Sequence, residues 1–216
     1  MSVHQERTER PPLSLLLRRE TSAKHRLAED APFVRSLLAG RVARCVYARF
    51  VESLYFVYSE LERALDRHGS HPIVAPLDVP ELRRVYSLEV DLSTWVGPCW
   101  RGSVSPSAAT RAYAERIRAV ADEAPVLLVG HLYTRYLGDL SGGQLLGRAV
   151  ERTFGPSASV AFYRFGPAAE RARLKALFRA HLDAVPIDAA TSVPVVAEAC
   201  RVFDHNTQLF DELARP

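Results

Sequence analysis

The chain has 216 residues, 48% hydrophobic and 25% charged, with 28 Lys+Arg against 25 Asp+Glu for a formal charge of +3. Those proportions belong to an ordinary globular domain; they exclude disorder along the whole chain and supply no basic block of the kind that nucleic-acid-binding tails carry. Cys45, Cys99 and Cys200 are odd in number and form no CxxC pair, which argues against a disulfide framework or structural zinc and for a reducing compartment.

Residues 1–10 are polar and read as a mobile N-terminal segment, and residues 11–214 as one domain. The short run Leu15–Leu17 is too brief for a signal-peptide core, and nothing approaches the roughly 18 apolar residues of a membrane helix. A soluble, cytoplasmic protein with no membrane and no nucleic-acid partner is therefore expected. The first predicted helix covers Leu13 to Leu27 and ends near Ala31-Pro32. From Arg41, apolar residues recur every three or four positions (Val42, Cys45, Val46, Phe50, Leu54, Val57, Leu61, Leu65), predicting a long amphipathic helix that His68-Gly69-Ser70 stops. A proline-marked loop leads to a helix from about Glu81 to Trp95, ended by Gly97-Pro98.

Ser105-Pro106 reads as an N-cap with proline in the first turn, opening a helix to about Glu123. Pro125 opens the next, which runs to Phe154 and stops at Gly155-Pro156. Further helices are expected from about Ala168 to Ala184 and from Ser192-Val193-Pro194 to Leu213. The stretch Val160 to Phe165 is the one strand candidate and reads equally as loop. The fold class expected is all-α, in a single domain.

Inside the helix from Pro125 lies LGDLSGGQ, residues 137–144. Glycine costs a helix about 1 kcal/mol relative to alanine, so three of them point to a break between two helices. Apolar periodicity on both sides supports the other reading, a continuous but kinked helix whose missing side chains let something flat approach its backbone. Gly138 and Gly142 share a face, and Asp139 lies beside it.

The longer stretch HLYTRYLGDLSGGQ, residues 131–144, resembles the distal-helix signature of the haem oxygenases. The resemblance spans almost the whole chain: residues 13–30 resemble the family's first helix, and SLYFVY (53–58), PIVAP (72–76), WVGP (95–98) and NTQLF (206–210) match later landmarks. It implies a single all-α domain that clamps haem b between a proximal helix and the kinked glycine-rich one. It also implies an enzyme using haem as both substrate and cofactor, cleaving a meso carbon with O2 and reducing equivalents to biliverdin, CO and ferrous iron.

Seven histidines compete for the iron. His131 shares a helical stripe with Arg135, Gly138 and Gly142, yet a ligand must stand off the helix that the glycines ask the haem to lie against. Arg18, Ser22, His25 and Glu29 form a polar stripe that spacing alone reads either as a solvated face or as a ligand position with Glu29 orienting the ring. The resemblance selects His25 as the proximal axial ligand and leaves His131 structural. It further implies propionate contacts from Arg18, Tyr133, Lys175 and Arg179, with arginine at 18 where relatives often carry lysine. Thr134, Gly142, Gly143, Phe203 and Phe210 are placed at the haem as well. A distal network of Tyr58, Tyr113, Arg135, Asp139 and Asn206 is implied too, with Gly138 covering the iron and Asp139 delivering protons through water. Without a Rossmann or flavin motif, no nicotinamide or flavin is expected; electrons come from a ferredoxin or an NAD(P)H-dependent reductase, and a biliverdin acceptor can follow. The rival reading is a haem carrier or sensor that binds without degrading.

Overall fold

The computed structural model describes residues 11–215; the N-terminal segment expected to be mobile lies outside the described residues. Nine α-helices form, and no strand is present among the described residues. They are α1 (Leu13–Glu29), α2 (Pro32–Leu38), α3 (Arg44–Arg67), α4 (Val85–Trp95), α5 (Ala108–Glu123), α6 (Leu128–Leu132), α7 (Gly138–Phe154), α8 (Ala168–Ala184) and α9 (Ala189–Ala214). The all-α expectation holds.

Helix α3 is the central element because its periodic apolar stripe is buried along its length, from Tyr47 and Phe50 through Leu54, Val57 and Leu61 to Leu65. It packs on α4 and α5, while α9 packs on α1, α2, α5 and α6. The α6–α9 approach is backbone to backbone. A Cβ added at Gly130 would stand 2.8 Å from the Ala199 nitrogen, so only glycine fits there.

Several boundaries differ from the expected ones, and in each case the cap is the reason. Pro32 does not only follow the first helix: it occupies the first turn of α2, a short helix not expected from the sequence. The helix expected from Glu81 begins at Val85, because Glu62 of α3 accepts the N–H groups of Arg84 and Val85 and caps α4 from a distance. Ser107, not Ser105, caps α5, its hydroxyl accepting from the Thr110 N–H at 3.2 Å. Helix α9 starts at Ala189 under the Asp188 side chain, which accepts from Thr191 at 2.7 Å, leaving Pro194 inside the helix. The strand candidate is a 3-10 turn, Ala161–Tyr163.

The glycine-rich region resolves in favour of continuity. A π-helical turn, Tyr133–Leu137, joins α6 to α7, and the glycines lie within α7 rather than between two helices. The irregularity in this helix is therefore the π turn before Gly138 and not the glycines, and such turns recur at functional sites. The expected stop at Gly155 holds, with φ at 86°.

Candidate active site

Helix α1 forms one wall of a cleft of ≈ 350 Å³, and the π turn with the start of α7 forms the other. Arg18, Thr21, Ser22 and His25 line the first wall, and Tyr133, Thr134, Leu137, Gly138 and Ser141 the second; Arg179 of α8 and Phe203 of α9 close the ends. Two contacts seat α1 here. Asp183 of α8 accepts from the Ser14 N–H (2.8 Å) and hydroxyl (3.0 Å), supplying the cap that Pro12 does not, and Lys24 pairs with Asp204 of α9 at 2.5 Å.

His25 sits on this wall with its side chain 47% exposed, Nδ1 3.3 Å from the Glu29 carboxylate and its ring edge-on to Phe203 at 5.7 Å. Nε2 is thereby the nitrogen left for a ligand. His131 has the opposite environment. It is 0% exposed, its Nε2 is 3.1 Å from Glu198, and Glu198 is held bidentately by Arg116. Burial holds the His131 ring below the usual histidine range, and nothing of it reaches the cleft.

Across the cleft, a Cβ on Gly138 would meet nothing within 4 Å, nor would one on Gly142, exposed one turn further along the same face of α7 and outside the cleft lining. That is a slot left by missing side chains, and a flat ligand can lie against the backbone there. Thr134 lines the same wall with a buried hydroxyl that has no hydrogen-bond partner among the described residues. Gly143 departs from the expectation. It faces the opposite side of α7, where an added Cβ would be 3.0 Å from the Tyr163 ring, so it serves packing rather than the cleft.

Behind Gly138 runs a closed polar network. Arg135 donates to Asn206 Oδ1 at 2.7 Å and to Asp139 Oδ1 at 2.9 Å, and the Tyr58 hydroxyl donates to Asp139 Oδ2. All four residues are buried. Burial would lower the Arg135 guanidinium, but Asp139 and Tyr58 outweigh it and hold the group charged; burial, then Asp139, pushes the Tyr58 hydroxyl well above its usual range. Tyr113 is the exception among the expected members. Its ring stacks on His205 at 5.1 Å and its buried hydroxyl has no hydrogen-bond partner among the described residues; burial pushes it up to about 12 against the lowering effect of Arg135.

The basic stripe of α8 divides. Arg179 lines the cleft, whereas Lys175, one turn earlier, does not, and Arg171 spends its guanidinium on the Gly166 carbonyl at 2.6 Å. Burial, then the neighbouring Arg179 and Arg171, lowers the Lys175 ammonium. Phe210 also departs from the expectation, because α9 turns it away from the cleft to stack on Phe33 at 5.7 Å beside Phe50. Sequence reasoning missed Ser14, Thr21, Ser22, Arg26, Leu137 and Ser141 as cleft residues. Leu137 and Ser141 carried a signal, since they flank Gly138 on its own helical face.

A cleft with an imidazole on one wall, bare backbone on the other and an arginine at its end fits a flat iron macrocycle with acidic side groups. A family model described as Heme oxygenase matches residues 11–212. Heme oxygenase 1 of Synechocystis is 42% identical over 202 residues, 93% of this chain and 84% of that protein. Heme oxygenase 1 of Gallus gallus is 38% identical over 207 residues, 94% of this chain and 70% of that protein. Among solved structures, heme oxygenase-1 of Synechocystis in complex with heme superposes with a TM-score of 0.88 at 41% identity, over 94% of this chain and 92% of that one. Heme oxygenase from Leptospira interrogans gives 0.88 at 34% identity, over 93% and 99%. The matched length, the shared fold and the cleft agree, and the chain belongs to the haem oxygenase family.

Proposed function

We propose that the chain degrades haem b, its substrate and cofactor together, to biliverdin, CO and ferrous iron, consuming O2 and external electrons. The observation that carries this reading is His25 on one wall of the cleft opposite the bare backbone of Gly138 on the other, a face that Gly142 continues one turn further along α7. His25 would take the iron through Nε2 while Glu29 holds Nδ1. Arg179, Arg18 and Tyr133 reach the same cleft and suit the propionates, with Lys175 adding charge from the turn before Arg179. Bound haem supplies the iron that activates O2 and the meso carbon that is oxidised; orientation and proton supply fall to the protein.

Glycine at 138 and 142 keeps any acid or base side chain off the distal face. Tyr133, Thr134 and Ser141, each with a hydroxyl, line the cleft itself, and the hydrogen-bonded pair Tyr58 and Asp139 lies one layer behind the backbone. Both Asp139 oxygens are committed, one to Arg135 and one to Tyr58, so the carboxylate acts by ordering the hydroxyl and water at the cleft edge. Asn206 fixes Arg135 from the other side. Electrons would come from a ferredoxin or an NAD(P)H-dependent reductase, and a downstream protein would accept biliverdin. Three unpaired cysteines suit the reducing cytoplasm.

The test is a haem titration followed by turnover with O2 and a reductant, with chromatography of the tetrapyrrole. Stoichiometric binding and biliverdin release support the reading; haem bound and returned intact would make the chain a carrier. His25→Ala should abolish the histidine-ligated spectrum, and added imidazole should restore much of it.

A further inference from the structure

The glycines of α7 fall on two faces. Gly138 and Gly142 border open space, but a Cβ on Gly143 would stand 3.0 Å from Cδ1 of Tyr163, and one on Gly147 3.2 Å from its Cβ and Cδ2. Gly147 follows Gly138 by about two and a half turns, which puts the two on opposite sides of the helix. Tyr163 thus fills the volume directly behind the face offered to the substrate.

The turn that carries Tyr163 is tied down on three sides. Asp91 of α4, fully buried, accepts the Ser159 hydroxyl and the N–H groups of Ala161 (2.8 Å) and Phe162 (2.9 Å). Trp95 donates its indole N–H to the Ser159 carbonyl at 2.9 Å. From α7 itself, the Gln144 amide donates to the Tyr163 carbonyl, and Phe162 meets the Tyr58 ring edge-on at 5.5 Å. The Tyr163 hydroxyl, by contrast, is buried without a hydrogen-bond partner among the described residues. Ring and carbonyl make the contacts with α7; the O–H lies toward Tyr47 of α3 and makes no hydrogen bond with α7.

From these contacts we infer that Tyr163 is a positioning residue, bracing α7 from behind and setting how far the Gly138–Gly142 face stands into the cleft. A face without side chains has no flexible atoms to adjust its distance to a ligand, so backbone placement alone decides it, and small misplacements are costly at a reacting centre. The π turn just upstream gives a less regular hydrogen-bond ladder than an α-helix and is a poor source of that rigidity. The consequence for catalysis rests on haem occupying the cleft; the brace itself does not.

Two measurements separate those layers. Hydrogen exchange is followed on the haem-free protein, and haem affinity by titration with absorbance. Tyr163→Phe should match wild type in both. Tyr163→Ala should speed exchange of the α7 amides from Gly138 to Leu146 by about tenfold while leaving α3 and α5 unchanged. It should also weaken haem binding about tenfold with the histidine-ligated spectrum kept. Unchanged α7 exchange, or equal acceleration in every helix, overturns the brace. Should Tyr163→Ala fail to fold, Gly147→Ala carries the test, because its methyl presses on the Tyr163 ring. That variant should lose haem affinity, and Gly147→Ala/Tyr163→Leu should recover it; wild-type affinity in Gly147→Ala overturns the proposal. A wild-type protein that takes up no haem sinks the reading of the cleft and leaves the exchange result to judge the brace.

Discussion

Asp139 shows how one carboxylate can matter to a reaction it does not touch. Its oxygens are both spent inside the fold, on Arg135 at 2.9 Å and on the Tyr58 hydroxyl. Replacing it with alanine leaves a buried guanidinium whose remaining side-chain hydrogen bond is to Asn206, and breaking a buried pair from one side costs about 3–5 kcal/mol. Asparagine keeps an acceptor for one of the two donors. We therefore expect Asp139→Ala to bind haem close to normally, since His25 and Arg179 are elsewhere, but to lose most biliverdin yield and several degrees of thermal stability. Asp139→Asn should retain more of both. Product chromatography and a thermal melt check this, and wild-type biliverdin yield in Asp139→Ala would remove the role assigned to it. The same network tells what the sequence could offer at this scale. Asp139, Arg135 and Tyr58 were readable as partners through the family likeness. Phe210 and Gly143 were not readable as core, because a shared helical face says which residues lie together and nothing about what packs against them.

At the level of elements, long periodic helices were legible and their ends were not. Helix α3 follows from apolar spacing and α8 has its expected bounds, whereas the true start of α4 depends on Glu62, distant in sequence, and α2 hides behind a proline that starts it. The π turn has no sequence signature, so the choice between a break and a kink stayed open until the structure placed it before Gly138. Glycines can now be sorted by what a methyl group would meet. Gly142→Ala enters open space and gains helix propensity of about 1 kcal/mol, so it should melt at or above the wild-type temperature while binding haem more weakly. Gly130→Ala meets the α9 backbone at 2.8 Å and should cost about 1–3 kcal/mol of stability. Equal melting temperatures for the two would refute this sorting. On α8, Arg179 reaches the cleft and Lys175 does not, so the biliverdin isomer ratio should shift more in Arg179→Ala than in Lys175→Ala. An unchanged ratio in both would return the stripe to a solvated face.

Across the whole molecule, acid should act through the cluster that joins α5, α6 and α9, away from the cleft. Glu198 is 2% exposed and holds Arg116 at 2.8 and 2.5 Å and His131 at 3.1 Å. Burial alone would raise its carboxyl, but the hydrogen bonds from Arg116 and His131 outweigh it and bring the group from 4.5 down to about 2. A folded value below the unfolded one means the pairing stabilises the fold in full above about pH 4.5 and is lost as pH falls toward 2. That difference is worth roughly 3 kcal/mol. His131 acts with the same sign. Burial lowers its ring below 6.5, so its contribution is complete above that pH and declines as acid protonates the unfolded chain first. Asp91 and Glu62 work the other way: burial raises both, and acidification relieves a cost rather than adding one. His205, lowered by burial, and partly exposed Glu170, lowered by its hydrogen bond from Arg173, add to the decline with the same sign as Glu198, but Glu198 should dominate the slope because it ties α5, α6 and α9 together through Arg116 and His131. Glu198→Gln should therefore lose roughly 3 kcal/mol at pH 7 and show a much flatter decline between pH 4.5 and 2. Urea midpoints at pH 7, 4.5 and 3 read this directly. A variant whose stability falls with acid as steeply as wild type would show that the acid sensitivity of this fold lies in other carboxylates.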